Sequence, residues 1–328
     1  MAITVALAGD TMLGRSVAEQ LDLSPRPEAI LSDEVRAVLA EADLCVLNLE
    51  CCISGRGEPW PAPGKPFFFR APPDAADVLA QLGVDCVTLA NNHALDFGYD
   101  ALADTTQLLT RAGVRTVGAG PDLAAARAYA VLEAGGVRLA VVGVTDHPDD
   151  YAAQDDRAGV SFADLRRGVP GWLTDLVRQA STEADVVLVT PHWGPNMTSK
   201  PPPRVRDAVP VLQQAGATLI AGHSAHVFHG VADRVIYDMG DFVDDYAVDS
   251  RLRNDLGLLF LVTLDGPDPA SHRPVRLEAL PLYLDYCRTV PASGGEWEWI
   301  RDRFTRACAE FGTVVTVEGK RLIVDWSR

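Results

Sequence analysis

The stretch AGHSAHVFHG, residues 221–230, places three of the chain's seven histidines, His223, His226 and His229, within seven positions. Imidazole is the commonest metal ligand and a ready acid or base near neutral pH. Here it is crowded just after the apolar run ATLIAG, at the end of one element. Oxygen and further imidazole donors recur upstream in the same setting. Asp10, Asn48 and Glu50, Asn91 through His93, Asp146 and His147, His192 and Asp241 each end or follow a short apolar run. Singly, each has an ordinary reading: Gly-Asp after a strand is turn chemistry, Asn-Asn-His caps a helix, and a lone His192 serves equally well as a hydrogen-bonding residue. Jointly, carboxylate, amide and imidazole make the donor mixture that first-row divalent ions accept.

The elements that would position these donors follow from the hydrophobic pattern. Eight β-branched, apolar runs recur: ITVALAGD, ADLCVLNLE, VDCVTLANNH, VRLAVVGVTDH, ADVVLVTPHWG, ATLIAGHSAH, VIYDMGDF and LGLLFLVTL. Their continuous apolar character predicts strands covered on both faces. Helical periodicity lies between several of them, over 28–42, 73–83, 99–113, 171–182 and 204–216, and most of these segments end at Gly. The alternation predicts an α/β fold with a largely parallel sheet. In such sheets the carboxyl ends of the strands form the crevice where ligands bind, so donors far apart in sequence converge there. Pro- and Gly-rich loops are expected at 54–66 and 195–204, shaping the mouth. After about Leu284 an amphipathic helix and a hairpin turning at Glu-Gly are expected. This divides the chain into a main domain, 1–284, and a C-terminal extension, 285–328, packed on the core.

Composition narrows the function classes. A net charge of −16 over 328 residues disfavours nucleic acid and anionic membranes as partners, while leaving room for a small anionic substrate beside a locally positive metal site. The six cysteines show no CxxC spacing and read as reduced thiols of a cytoplasmic protein. MAITVALAGD has neither a charged leader region nor a long apolar segment, so neither signal peptide nor membrane anchor is expected.

The ordered series GDTMLGR, ADLCVLNLE, KPFFFRAPP, LANNHALDFG, PHWG and GHSAHVFHG, spanning about residues 3–245, resembles the CapA family, whose namesake serves poly-γ-glutamate capsule synthesis. That family in turn resembles the calcineurin-like metallophosphoesterases. The resemblance implies a four-layer αββα sandwich holding one or two divalent ions, Mn, Fe or Zn. By motif, it implies that Asp10 binds the first metal and that Glu50 bridges. Asn92 and His192 would bind the second metal, and His223 and His226 would close the site, one for each ion. His93 would protonate the leaving group. Asp96 either orients His93 or caps the following helix. Arg15 and Arg70 are candidates for gripping a carboxylate or phosphate, against the reading of solvated surface charge. His229 is expected to stand outside the ligand set.

Five residues depart from these patterns. Met12 stands where the superfamily's first motif offers His, and a thioether is a poor ligand for a hard ion. That site is therefore weak, or it borrows Asp241, which stands where the family generally shows Asn. Glu50 replaces the superfamily's Asp, and Ser224-Ala225 fill the middle of a motif that often reads GHHPH. The expectation is a soluble metal-dependent hydrolase acting on an amide of γ-glutamyl or peptide-like type, or on a phosphoester. The alternatives are a non-catalytic accessory protein of poly-γ-glutamate biosynthesis and a tailoring enzyme for a small metabolite.

Overall fold

A computed structural model of the chain describes residues 2–61 and 63–327. The apolar runs become the centres of two sheets. The strands Ile3–Thr11, Leu44–Leu49, Cys86–Thr88 and Arg115–Val117 lie side by side in parallel. Val137–Thr145, Val186–His192, Leu219–Ala221 and Val235–Ile236 do the same in the second sheet.

The pleat explains why these runs carry almost no polar residues. Along Ile3–Thr11, Val5 and Leu7 join a core shared with Leu139, Val141, Val186 and Leu188 of the other sheet. Their neighbours Ala6 and Ala8 face the opposite way, against helix residues such as Val17, Leu21, Val35 and Leu102. The second sheet alternates likewise, with Ala140, Val142, Val187 and Val189 packing against Leu173, Val177, Val205 and Leu212. Side chains two residues apart share a face, so a strand covered on both sides must be apolar at every position.

The expected largely parallel sheet is corrected to two mixed ones. Leu256–Asp265 runs antiparallel to Ile3–Thr11 and pairs with the long strand Arg273–Asp285, which was not anticipated. Each of the two is longer than any of the central parallel strands, and alternation along Arg273–Asp285 is broken by half-buried positions. The VIYDMGDF run also divides: Val235–Ile236 stays in the second sheet, while Asp241–Val243 crosses to pair with Ile3–Thr11. The crossover stitches the two sheets together at the ends that carry the donors.

The helices fall where their caps place them. Ser32 accepts a hydrogen bond from the Val35 N–H and starts Asp33–Leu39, shortening the expected 28–42 segment. Gly171–Glu183 and Pro203–Ala215 form as periodicity predicts, the second ending on Gly216 with φ +118°. A helix over Arg15–Leu23 was missed, being mostly polar with only Val17 and Leu21 buried. At the C-terminus, Gly294–Ala309 sends Ile300, Phe304 and Cys308 into the core between the sheets. Arg321–Asp325 extends the first sheet beyond Arg273–Asp285 and pairs with Thr316–Glu318, with Glu318 opposite Arg321. All six cysteines are buried and free. No helix among the described residues is long and apolar enough to cross a membrane.

Candidate metal centre

Strand ends from both sheets deliver the donors to one buried centre. Asp10 is opposite Asn48 in the parallel register, and its Oδ1 accepts a 2.7 Å hydrogen bond from Asn48 Nδ2. Asn91 then donates to Asn48 Oδ1 at 2.9 Å and to the Leu49 carbonyl at 2.8 Å. The relay Asn91–Asn48–Asp10 therefore runs across three adjacent strands and fixes each side chain by the next. Asp10 Oδ2 accepts the Ser224 N–H from the other sheet at 3.2 Å.

Glu50 lies just past the same strand end, fully buried, with neither carboxylate oxygen hydrogen-bonded among the described residues. Its Oε1 is 3.9 Å from His192 Nε2 and its Oε2 is 3.8 Å from His226 Nδ1. His226 Nδ1 also approaches Asp241 Oδ1 at 2.8 Å and Asp10 Oδ2 at 3.3 Å, while Asn196 Nδ2 lies 3.1 Å from its Nε2. His192 Nδ1 and His223 Nδ1 are 2.8 Å apart, and His223 Nδ1 is 3.6 Å from Asp10 Oδ1. Two donor sets result, Asp10–His192–His223 and Asp10–Glu50–His226–Asp241, in each of which the ligand atoms lie within 4.8 Å of one another. Asp10 belongs to both.

The turn that presents the histidines is tightly built. Ser224 and His226 hold left-handed backbone, φ +118° and +58°. Asp238 secures the turn by accepting the Ala225 N–H at 2.8 Å and the Gly240 N–H at 2.9 Å. Gly222 is required there, since a Cβ would stand 2.3 Å from Trp193 Nε1 and 2.4 Å from the Tyr237 carbonyl oxygen.

The electrostatics describe a buried, charge-crowded cluster that could hold a cation. Burial, with Asp10 beside it, pushes Glu50 well above the usual carboxylate range. Burial does the same to Asp241, against the pull of His226. Burial also opposes ionisation of Asp10, but hydrogen bonding and charge from His226, aided by His223 and Asn48, hold its pKa below normal. Burial works against the His226 cation too, yet Asp241, Glu50 and Asp10 drive its pKa well above normal. Burial, reinforced by His223, keeps His192 neutral, and burial lowers His223 to about 4. Neutral imidazoles and crowded carboxylates are the groups a divalent ion binds.

Fit can be judged from unmet hydrogen-bonding capacity. Both oxygens of Glu50, Asp241 Oδ2, His192 Nε2 and Asn92 Oδ1 are buried without partners among the described residues. Buried polar atoms normally find partners, and a cation held by the two donor sets would satisfy those of Glu50, Asp241 and His192. The residues therefore fit a divalent metal.

His93 lines the mouth of this centre. Its Nδ1 is 2.6 Å from Asp96 Oδ2, and its ring stacks on Phe69 with centroids 4.1 Å apart. Asp96 is fully buried; it also accepts the Phe69 N–H at 2.6 Å and the Tyr151 hydroxyl at 3.2 Å, and pairs with Lys65 Nζ at 2.9 Å. The following helix, Gly98–Arg111, takes Phe97 as its N-cap residue and has no side-chain cap. Asp96 thus contacts the imidazole and leaves the helix uncapped. Lys65 also donates to the Asn92 carbonyl at 2.7 Å.

The two arginines part company. Arg15 reaches the cleft, with its Nε 3.3 Å from Asp245 and its guanidinium 5.7 Å from the Phe67 ring centroid. Arg70 is not brought there: its guanidinium lies 4.2 Å over Phe97 and donates to the carbonyls of Arg56 and Gly57. His229 also stays apart, its Nε2 2.7 Å from the Thr198 carbonyl oxygen. His147 contacts Asp146, which pairs with Arg204 at 3.3 Å, beside the His192 ring. Lys65, Asn196 and Tyr246 escaped the sequence reading because they sit in loops, and Tyr151 because it ends a single 3-10 turn, Asp149–Tyr151, where no periodicity marks a direction.

Residues 4–246 match the family model for the bacterial capsule synthesis protein PGA_cap. The chain belongs to that family. Among relatives, this PGA_cap chain is 33% identical to a probable polyglutamine synthesis accessory protein of Mycobacterium tuberculosis, over 98% of this chain and 95% of the relative. It is 27% identical to the PGA biosynthesis protein CapA of Bacillus subtilis, over 74% of this chain and 63% of that one. Among solved structures, a hypothetical protein from Thermus thermophilus aligns with a TM-score of 0.43 at 16% identity, covering 88% of this chain and 96% of its own. The matched segment contains every donor of the centre and ends at Tyr246, before the strands Leu256–Asp265 and Arg273–Asp285.

Proposed function

We propose that this PGA_cap-family protein is a metal-dependent hydrolase that cleaves an amide of γ-glutamyl or peptide-like type, or a phosphoester. One observation carries the reading: a fully buried Glu50 carboxylate with no hydrogen-bond partner among the described residues, its two oxygens facing His192 and His226. An unpaired buried carboxylate is costly, so its retention between two imidazoles is best explained by a cation. The four-layer αββα sandwich of metallophosphoesterase type is the architecture assigned on this reading. The three apolar clusters, one between the sheets and two beneath the helices, support it.

Roles follow from position. Asp10, Glu50, Asn92, His192, His223 and His226 would hold one or two ions of Mn, Fe or Zn, with Asp241 as a further carboxylate where Met12 offers no imidazole. When bound, such an ion lowers the pKa of water and polarises the scissile bond. Everything else falls to the chain. His93 delivers a proton to the leaving atom, and Asp96 fixes the ring's orientation through Nδ1. Phe69, stacked on the ring, keeps water from that face. Arg15 orients an anionic group of the substrate. On this proposal residues 285–328 form an extension docked on the 1–284 domain, and the partner is a small anionic or peptide-like substrate met in the cytoplasm.

A second reading, a non-catalytic accessory role in poly-γ-glutamate biosynthesis, draws on the name of the Mycobacterium tuberculosis relative. Metal-loaded protein assayed against γ-glutamyl anilides and activated phosphodiesters separates the two. Turnover abolished by His93→Asn establishes hydrolysis. Metal-loaded protein without turnover of any of these substrates establishes the accessory role.

A further inference from the structure

Beside the centre, with His93 and His226 on its wall, opens a cavity of about 300 Å3. Of the ten residues that line it, one is a guanidinium, none is a carboxylate, and Phe67, Phe69, Tyr246 and Met197 supply aromatic and thioether surface. The volume is at the lower end of the ~300–1,000 Å3 range of small-molecule sites. Phe67 presents its ring on this wall 54% exposed.

The cavity is built, not left over. Three of its lining residues, Arg15, Met197 and His226, hold left-handed backbone at φ +54°, +53° and +58°. Such strain in residues other than glycine clusters where a binding geometry is fixed. Gly14 sets Arg15 against the wall, since a Cβ there would stand 2.9 Å from the Arg70 backbone nitrogen. Asp245 engages Arg15 through Nε, and no hydrogen bond occupies its Nη1 or Nη2 among the described residues. Those two nitrogens form a fork matched to a carboxylate. The Tyr246 hydroxyl is likewise buried without a partner among the described residues.

We propose that this cavity selects a small substrate with one carboxylate, taken by Arg15, and an apolar or aromatic group laid on Phe67, Phe69 and Tyr246, and that it disfavours polyglutamate. The polymer brings a negative charge with every residue, and the wall offers a single guanidinium to grip them. The inference rests on the hydrolase reading for what happens at the adjacent centre, while the binding it describes is measured without turnover.

The test uses calorimetric titration of full-length protein, with metal content determined on the same samples. The probes are hippurate, which has ring and carboxylate; hippuramide, which lacks the charge; acetylglycine, which lacks the ring; and poly-γ-glutamate. Hippurate is expected to bind most tightly. Arg15→Gln should weaken hippurate about tenfold or more and leave hippuramide unchanged. Phe67→Ala should weaken hippurate and hippuramide together and spare acetylglycine; Phe67 is exposed, so folding is not at stake. Arg15-dependent hippurate binding by protein that takes up no metal upholds the cavity and overturns the hydrolase reading. Metal-loaded protein whose hippurate affinity is unchanged by Arg15→Gln, or that prefers poly-γ-glutamate to hippurate, overturns the cavity proposal and leaves the metal centre standing.

Discussion

Asp96 Oδ2 lies 2.6 Å from His93 Nδ1, and the same buried carboxylate collects the Phe69 N–H, Lys65 and Tyr151. Three contacts from two other chain segments thus fix the carboxylate that holds this imidazole in one orientation. Asp96→Asn replaces an acceptor of Nδ1–H by a group that also donates, releasing the ring from that orientation. Turnover is expected to fall about 10–100-fold, the usual cost of losing such a partner, while metal content stays at the wild-type level. Metal analysis beside steady-state rates checks both parts.

Gly9 and Gly222 sit where the two sheets' strand ends meet. A Cβ on Gly9 would lie 1.8 Å from the Gly240 carbonyl oxygen, which accepts the Asp10 N–H. Neither backbone can retreat without breaking the pairing that positions Asp10. Gly9→Ala and Gly222→Ala are expected to destabilise the fold by roughly 2–4 kcal/mol, read from the urea midpoint.

His229 gives a pH dependence away from the donors. Burial, against the pull of the Thr198 carbonyl and helped by Arg303, lowers its pKa to about 4. An unfolded histidine titrates near 6.5. Between these values the unfolded chain binds the extra proton, so this contribution to stability is complete above pH 6.5 and is lost as pH falls toward 4. The loss amounts to about 3 kcal/mol. His229→Gln is expected to flatten the dependence of unfolding free energy on pH in that window, measured by denaturant titration at a series of pH values.

These residues show how far a sequence carries a site and where it stops. The candidate donors were legible because each lies at or just past the carboxyl end of an apolar run, and sheet topology gathers strand ends whatever their distance in sequence. Arg15 and Arg70 look alike in sequence, each a lone cation near a motif. The direction of each side chain depends on tertiary packing: Phe97 captures Arg70, whereas Gly14's close approach to the Phe69–Arg70 backbone sets Arg15 on the cleft. Lys65 and Tyr151 were invisible for the same reason. The antiparallel strand Arg273–Asp285 was lost because half-buried residues interrupt its alternation.

Asp241 tests whether a carboxylate compensates for Met12. Its Oδ1 is 2.8 Å from His226 Nδ1, and its Oδ2 is buried without a partner among the described residues. Asp241→Asn keeps the shape and removes the charge. Metal affinity is expected to fall about 10–100-fold, measured by competition with a chelator, with little change in the urea midpoint.

The central claim is that these strand ends hold a divalent ion, and metal analysis of protein purified without chelator tests it most directly. Wild-type protein is predicted to carry about one or two equivalents of Mn, Fe or Zn, and Glu50→Gln to lose at least half of that while unfolding at the same urea concentration. Wild-type protein that remains metal-free after incubation with all three ions, or a Glu50→Gln variant that retains the full wild-type content, would contradict it.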